Sequence, residues 1–202
     1  MKNEIRMAAM YRPDASLEFR AADGDTAPVI RGYAVVFGAI ADFGFMRERV
    51  MPGAFTRALK EKQDVRALVN HNPSMILGRT AAGTLRLKQD DEGLLTEIDP
   101  PDTQVGRDVI VSLKRGDVDQ MSFGFRSVEE KWIEKRGETP IREIHDADLF
   151  DVSVVAFPAY EETSVQVRSA LQDIFKKHIP AECSDPGLVE VFERDRRYRL
   201  PR

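Results

Sequence analysis

Residues 149–157 read Leu-Phe-Asp-Val-Ser-Val-Val-Ala-Phe, a short apolar run that holds one carboxylate and is closed by Pro158. Such a run suits a strand with neighbours on both sides, central in a sheet. The carboxylate of Asp151 is then expected to be buried, at a cost of several kcal/mol unless it is paired and hydrogen-bonded. An imidazole N–H is one such partner. A salt bridge to an arginine, with Arg126 as the candidate, is the other.

The neighbours this strand needs come from patterned segments elsewhere. Residues 31–37 carry Tyr33, Val35 and Val36 between two glycines, and read as a strand. Pro52 suits the first turn of a helix whose apolar face is Ala54, Phe55, Ala58 and Leu59. Residues 65–70 form a short strand leading into His71, with Asn72-Pro73 as a strand-ending turn. Residues 85–88 and 94–98 make a hairpin around Gln89-Asp90-Asp91-Glu92-Gly93.

Asp102 is the expected N-cap of a second helix, with Val105, Val109, Ile110 and Leu113 on one face and Gly116 at its end. Residues 121–128 are a strand, 129–140 an exposed hairpin tip carrying Trp132, and 141–144 a further strand. A last helix is expected over 163–177. This order, with neighbouring strands close in sequence, favours an α+β fold: an antiparallel sheet or small barrel flanked by helices. The expected organisation is a flexible leader over 1–27, one domain over 28–177 and a flexible Arg-rich tail over 178–202.

Composition narrows the function classes. A net charge of −4 speaks against a surface built to coat nucleic acid. The single cysteine, Cys183, allows no internal disulfide and no cysteine-based metal cluster. The first sixteen residues mix charges with apolar groups and lack the core of a signal peptide, and no segment approaches the ~20 apolar residues of a bilayer span. The expectation is a protein of the cytosol, or one packaged within a particle assembled there.

Three residues carry candidate chemistry. In residues 121–126, alternation sets Met121, Phe123 and Phe125 on one face and Ser122, Gly124 and Arg126 on the other. The second face offers a small hydroxyl beside a residue without a side chain, the clearance a nucleophile needs to come within about 3–3.5 Å of a peptide. An ordinary sheet serine beside a glycine at a bulge fits the same pattern. Alternation through Ala67, Val69 and His71 puts the histidine at the mouth of a strand, where an imidazole with an unperturbed pKa of about 6.5 suits a general base. Taken alone, the pattern favours a hydrogen-bonded histidine near a turn. Gln120 stands where the α/β-hydrolase G-x-S-x-G elbow has its first glycine, so that elbow is missing.

The ordered set of short segments is more specific than any one of them. Arg31-Gly32-Tyr33-Ala34-Val35-Val36-Phe37, Pro52-Gly53-Ala54-Phe55, Asn70-His71-Asn72-Pro73 and Leu77-Gly78-Arg79-Thr80 come first. Gly83-Thr84-Leu85, Pro101-Asp102-Thr103 through Gly106-Arg107-Asp108, and Met121-Ser122-Phe123-Gly124-Phe125 follow. The set ends with Asp151-Val152-Ser153-Val154-Val155 and Phe157-Pro158-Ala159-Tyr160. Over roughly residues 28–168 the chain resembles the prohead (capsid maturation) serine proteases of tailed bacteriophages.

That resemblance implies a herpesvirus-protease-like fold, a small β-barrel ringed by helices. It also implies an endopeptidase that cuts the scaffold segment of the major capsid protein, and itself, inside the assembling procapsid in the host cytoplasm. The family's serine falls on Ser122, its histidine on His71 and its acid on Asp151. Related herpesvirus enzymes use a second histidine in the third role, which makes His145 the alternative. The partners implied are the major capsid protein with its scaffold segment, the portal-containing procapsid and a second copy of the chain. No cofactor, metal, membrane or specific nucleic acid is expected.

For the oxyanion, close backbone approach at Gly124 or the Gly78-Arg79 turn is a candidate. A catalytically inactive scaffold or capsid-assembly protein that keeps the protease fold is the competing reading. Cys183 in its Pro-flanked polar tail, His178 after the last helix, and the Ser112/Lys114 pair are set aside, the last because two-residue spacing on a helix separates the side chains.

Overall fold

The computed structural model describes residues 18–20 and 28–156. Among the described residues ten strands build two sheets, accompanied by two α-helices. The first, in the order β1-β2-β8-β7, joins β1 (Glu18–Arg20), β2 (Val29–Val36), β8 (Gly93–Ile98) and β7 (Leu85–Gln89). The second, in the order β3-β4-β10-β5-β6, joins β3 (Ala41–Asp42), β4 (Arg47–Val50), β10 (Ile141–Val155), β5 (Arg66–Val69) and β6 (Asn72–Arg79). A further strand, β9 (Gln120–Ile133), pairs with β10. Helix α1 is Thr56–Lys60 and helix α2 is Gln104–Arg115.

The apolar run does become the centre of a sheet. β10 pairs antiparallel with β9 along one side. On its other side it runs parallel first to β4, over residues 141–144, and then to β5, over residues 151–154. The remaining pairings are antiparallel. The fold is therefore a mostly β, α+β arrangement, as the order of elements suggested.

The expected closed barrel is not formed. Among the described residues no backbone ladder joins one sheet to the other. Side chains connect them instead, since Ile30, Val36, Leu94 and Ile98 of the first sheet share one core with Val69, Phe123, Val152 and Val154 of the second. Phe55, just ahead of α1, meets Phe123 edge-on at 6.0 Å, and Phe123 stacks on Phe125 at 4.9 Å. Ring pairs in these geometries add to the burial of their area.

Several boundaries differ from the sequence reading for local reasons. Residues 18–20, within the stretch read as a leader, pair with β2. Gly53 has φ 93°, outside helical space, so α1 begins only at Thr56. Thr103 rather than Asp102 caps α2, its hydroxyl accepting from the Gly106 N–H at 3.3 Å, while Asp102 bonds Arg107 at 2.6 Å. Gly116, with φ 77°, ends that helix as expected.

β9 continues through much of the expected hairpin tip because Trp132 packs on a small cluster of Phe45 and Met46. The two strands expected over 141–157 are one, β10, since the polar residues between them find partners: His145 on Glu143, Asp146 on Arg57, and Asp148 on Arg57, Arg126 and Gln63. The helix expected over 163–177 and the tail over 178–202, with His178 and Cys183, lie outside the described residues.

Candidate active site

The site lies where β9, β10 and the β5–β6 turn meet. Ser122 is on β9 directly opposite Ser153 of β10, so the two share one face of the sheet. A register shift between Leu149 and Asp151 sets the geometry. Leu149 pairs with Phe125 and Val152 pairs with Phe123, and those two rings stack on one face, so Leu149 and Val152 share a face although three residues apart. The one extra residue, Phe150, reverses the alternation. Asp151 and Ser153 thereby turn to the side of Ser122, away from the Phe123–Phe125 core.

His71 reaches this face through a turn rather than through strand alternation. Val69 pairs with Asn72, leaving Asn70 and His71 as a two-residue connection with φ 49° and 54°. Positive φ at both central residues is the mark of a mirror-image hairpin turn, and Asn and His tolerate it better than most residues. Asn72 and Pro73, read as the turn, instead begin β6, and β6 is the last strand of its sheet, where a proline costs no ladder bond. Asn70 fastens the turn to β10: its N–H donates to Val154 O at 2.9 Å and its Oδ1 accepts from the Ala156 N–H at 3.0 Å.

The three side chains form a continuous relay. Ser122 Oγ is 2.8 Å from His71 Nε2, and Asp151 Oδ1 is 2.6 Å from His71 Nδ1. The imidazole is 6 % exposed and the Asp151 side chain 9 %. Ser122 is 1 % exposed, so the open clearance expected beside Gly124 is absent: the imidazole stands against the hydroxyl. A hydrogen on Nδ1 donated to Asp151 would leave the Nε2 lone pair facing the Ser122 hydroxyl, the arrangement that a general base requires.

The alternatives separate in space. Arg126 bonds Asp148, not Asp151. His145 lies six residues before Asp151 on β10, with Nε2 3.0 Å from Glu143 Oε2, and Glu143 is also held by Arg49. The hydrogen bond from Arg49 is the main reason that the Glu143 carboxyl titrates below its ordinary value. Gly78 serves packing, since a Cβ there would lie 2.7 Å from Thr84 O and 3.2 Å from Ile98 Cγ2. Ser112 Oγ donates to Asp108 O on the exposed side of α2.

Ser153 was not singled out by sequence reasoning. Its fully buried hydroxyl donates to Asp151 Oδ1 at 2.7 Å and accepts from the His71 N–H at 3.3 Å. The available signal was its place two residues after Asp151, on the same face of the strand. Among the described residues no three His, Cys, Asp or Glu side chains are grouped to hold a metal ion, and no helix is long and apolar enough to cross a membrane.

The sequence profile of the Caudovirus prohead serine proteases matches residues 15–177. The chain belongs to that family. It is thus a member of a serine protease family of capsid assembly and maturation. The structure of the bacteriophage T4 capsid assembly protease, gp21, is similar in fold, with a TM-score of 0.52 and 9 % identity over 78 % of this chain and 100 % of that one. No curated protein sequence matches significantly. A prohead protease fold thus carries a serine, a histidine and a carboxylate within hydrogen-bond reach of one another.

Proposed function

We propose that this prohead protease is an active endopeptidase that cleaves the scaffold segment of the major capsid protein, and itself, through a Ser122–His71–Asp151 triad. The observation that carries the reading is the unbroken relay from Ser122 Oγ to His71 Nε2 and from His71 Nδ1 to Asp151 Oδ1, at 2.8 and 2.6 Å. A protein retained only for its shape has no need of this alignment.

In the proposed reaction His71 Nε2 takes the Ser122 proton as Oγ attacks the scissile carbonyl. The imidazolium then returns that proton to the leaving amine, and water, activated by the same nitrogen, releases the acyl group. Asp151 holds the ring in register and stabilises its positive charge while it lasts. Backbone N–H donors at the oxyanion would supply about 2.7–4 kcal/mol each. The work is placed inside the assembling, portal-containing procapsid in the host cytoplasm.

Co-expression with the major capsid protein tests this. Intact mass should show a truncated capsid protein with the wild type and a full-length one with Ser122→Ala. Full-length capsid protein in both cases, with normal particles, would reject the endopeptidase reading in favour of a scaffold role.

A further inference from the structure

Taking the triad above as given, we infer that Ser153 is a positioning residue of the prohead protease: one buried hydroxyl fixes both the acid and the base. The side chain lies on β10 directly across from the nucleophile, and the residue has no solvent exposure. Its single hydrogen goes to Asp151 Oδ1 at 2.7 Å, the same oxygen that faces His71 Nδ1 at 2.6 Å. Its lone pairs face the His71 backbone N–H and, at 3.3 Å, His71 Nδ1.

This arrangement settles two matters at once. A hydroxyl whose hydrogen is engaged with Asp151 offers only lone pairs to Nδ1, so it favours the Nδ1–H tautomer and leaves Nε2 free to accept from Ser122. Because the same oxygen accepts from the backbone of His71, it also ties the positive-φ turn to the strand that bears the acid. Asp151 and His71 are 80 positions apart in sequence, and Ser153 joins both ends of that pair. Without it the carboxylate keeps its partner but loses its second anchor, and small misplacements of a catalytic group are expensive in rate.

The experiment uses the full-length protein and a fluorophosphonate, which phosphonylates an activated serine. Ser122→Ala should abolish labelling; labelling at the wild-type rate in that variant means the triad reading itself is wrong, whatever Ser153 does. With that control in place, Ser153→Ala should label Ser122 with a maximal rate constant lower by about 10- to 100-fold at unchanged half-saturating probe concentration. Its thermal midpoint should stay near that of the wild type. In ¹⁵N spectra of the neutral imidazole, His71 should show the Nδ1–H form in the wild type and a mixture of tautomers in the variant. If Ser153→Ala does not fold, Ser153→Cys takes its place with the same expectation, since a thiol keeps the shape but is a weak donor. A folded variant that labels at the wild-type maximal rate, with His71 still wholly in the Nδ1–H form, overturns the inference while leaving the triad standing.

Discussion

Ser122, His71 and Asp151 each have a bland explanation when taken alone, and their separate environments make the catalytic one testable. Ser122→Ala removes one oxygen from a buried strand position, so folding should persist while processing of capsid protein falls to background. In other serine proteases the loss is about 10⁶-fold in turnover. Asp151→Asn should keep the fold and lower turnover by about 10⁴-fold, because an amide favours the wrong imidazole tautomer. His145→Ala should leave turnover unchanged, since its ring is occupied with Glu143. Side-by-side rates for the three variants check this assignment, and a dead His145→Ala beside an active Asp151→Asn would reverse it.

The candidate site was legible at this scale to the extent that residue type and resemblance could carry it. Ser122 and Asp151 stood out by their place in apolar strands. The role of Ser153 was not legible, because a serine in a strand is unremarkable until its register against His71 is known. The face on which Asp151 lies was hidden for the same reason: it depends on the extra residue at Phe150.

Among elements, the β5–β6 turn does the most with the fewest residues. Asn70 and His71 both sit at positive φ, and a β-branched residue at position 70 would pay the left-handed penalty as well as losing the bond to Ala156. Asn70→Val should lower stability by about 1–2 kcal/mol from the backbone term alone, read from denaturant unfolding, whereas Asn70→Gly should cost less. Both should slow processing through the looser placement of His71.

The other junction to watch is Asp148, where α1, the loop before β5 and β9 all reach β10. Burial alone would raise this carboxyl; hydrogen bonds from Arg57, Arg126 and Gln63 outweigh it and hold the group down, at about 2 against an ordinary 3.8. A depressed carboxyl stabilises the fold fully above its unfolded value and loses that contribution as pH falls. Unfolding free energy should therefore drop by about 2 kcal/mol between pH ~4 and pH ~2 through this group. The drop should shrink in Asp148→Asn, which would be less stable than the wild type at neutral pH. β5 and β9 were readable from alternation, whereas β3, β4 and β6 were not read as strands and the polar stretch 145–148 looked like a break. Only its partners, distant in sequence, keep it in the strand.

At the scale of the whole molecule the second sheet hangs on β10, and its two ends differ. One end carries the candidate site. The other buries Arg142, 2 % exposed, between Glu48 at 2.9 Å and Glu130 at 2.7 Å. Replacing Arg142 by Ala strips out the cation these carboxylates share, and should cost about 3–5 kcal/mol in unfolding free energy. Arg142→Met, which restores volume without charge, should recover little while both glutamates remain. The α+β class followed from the order of elements. The two open sheets in place of a barrel did not, because whether strands close a ring depends on pairings such as β4 and β5 against β10, which lie more than eighty residues apart and leave no local trace.

That placement of β10 also imposes a schedule. β5 and β9 do not pair with each other; each meets β10 from its own side, so the histidine of the β5–β6 turn and the serine of β9 acquire their common support only when this strand slots between them. β10 ends at Val155 and enters as the last of the described strands. A chain still emerging from the ribosome therefore holds a would-be nucleophile and base with no acid and no shared frame. On the proposed reading, the triad exists only once this strand is in place, late in synthesis.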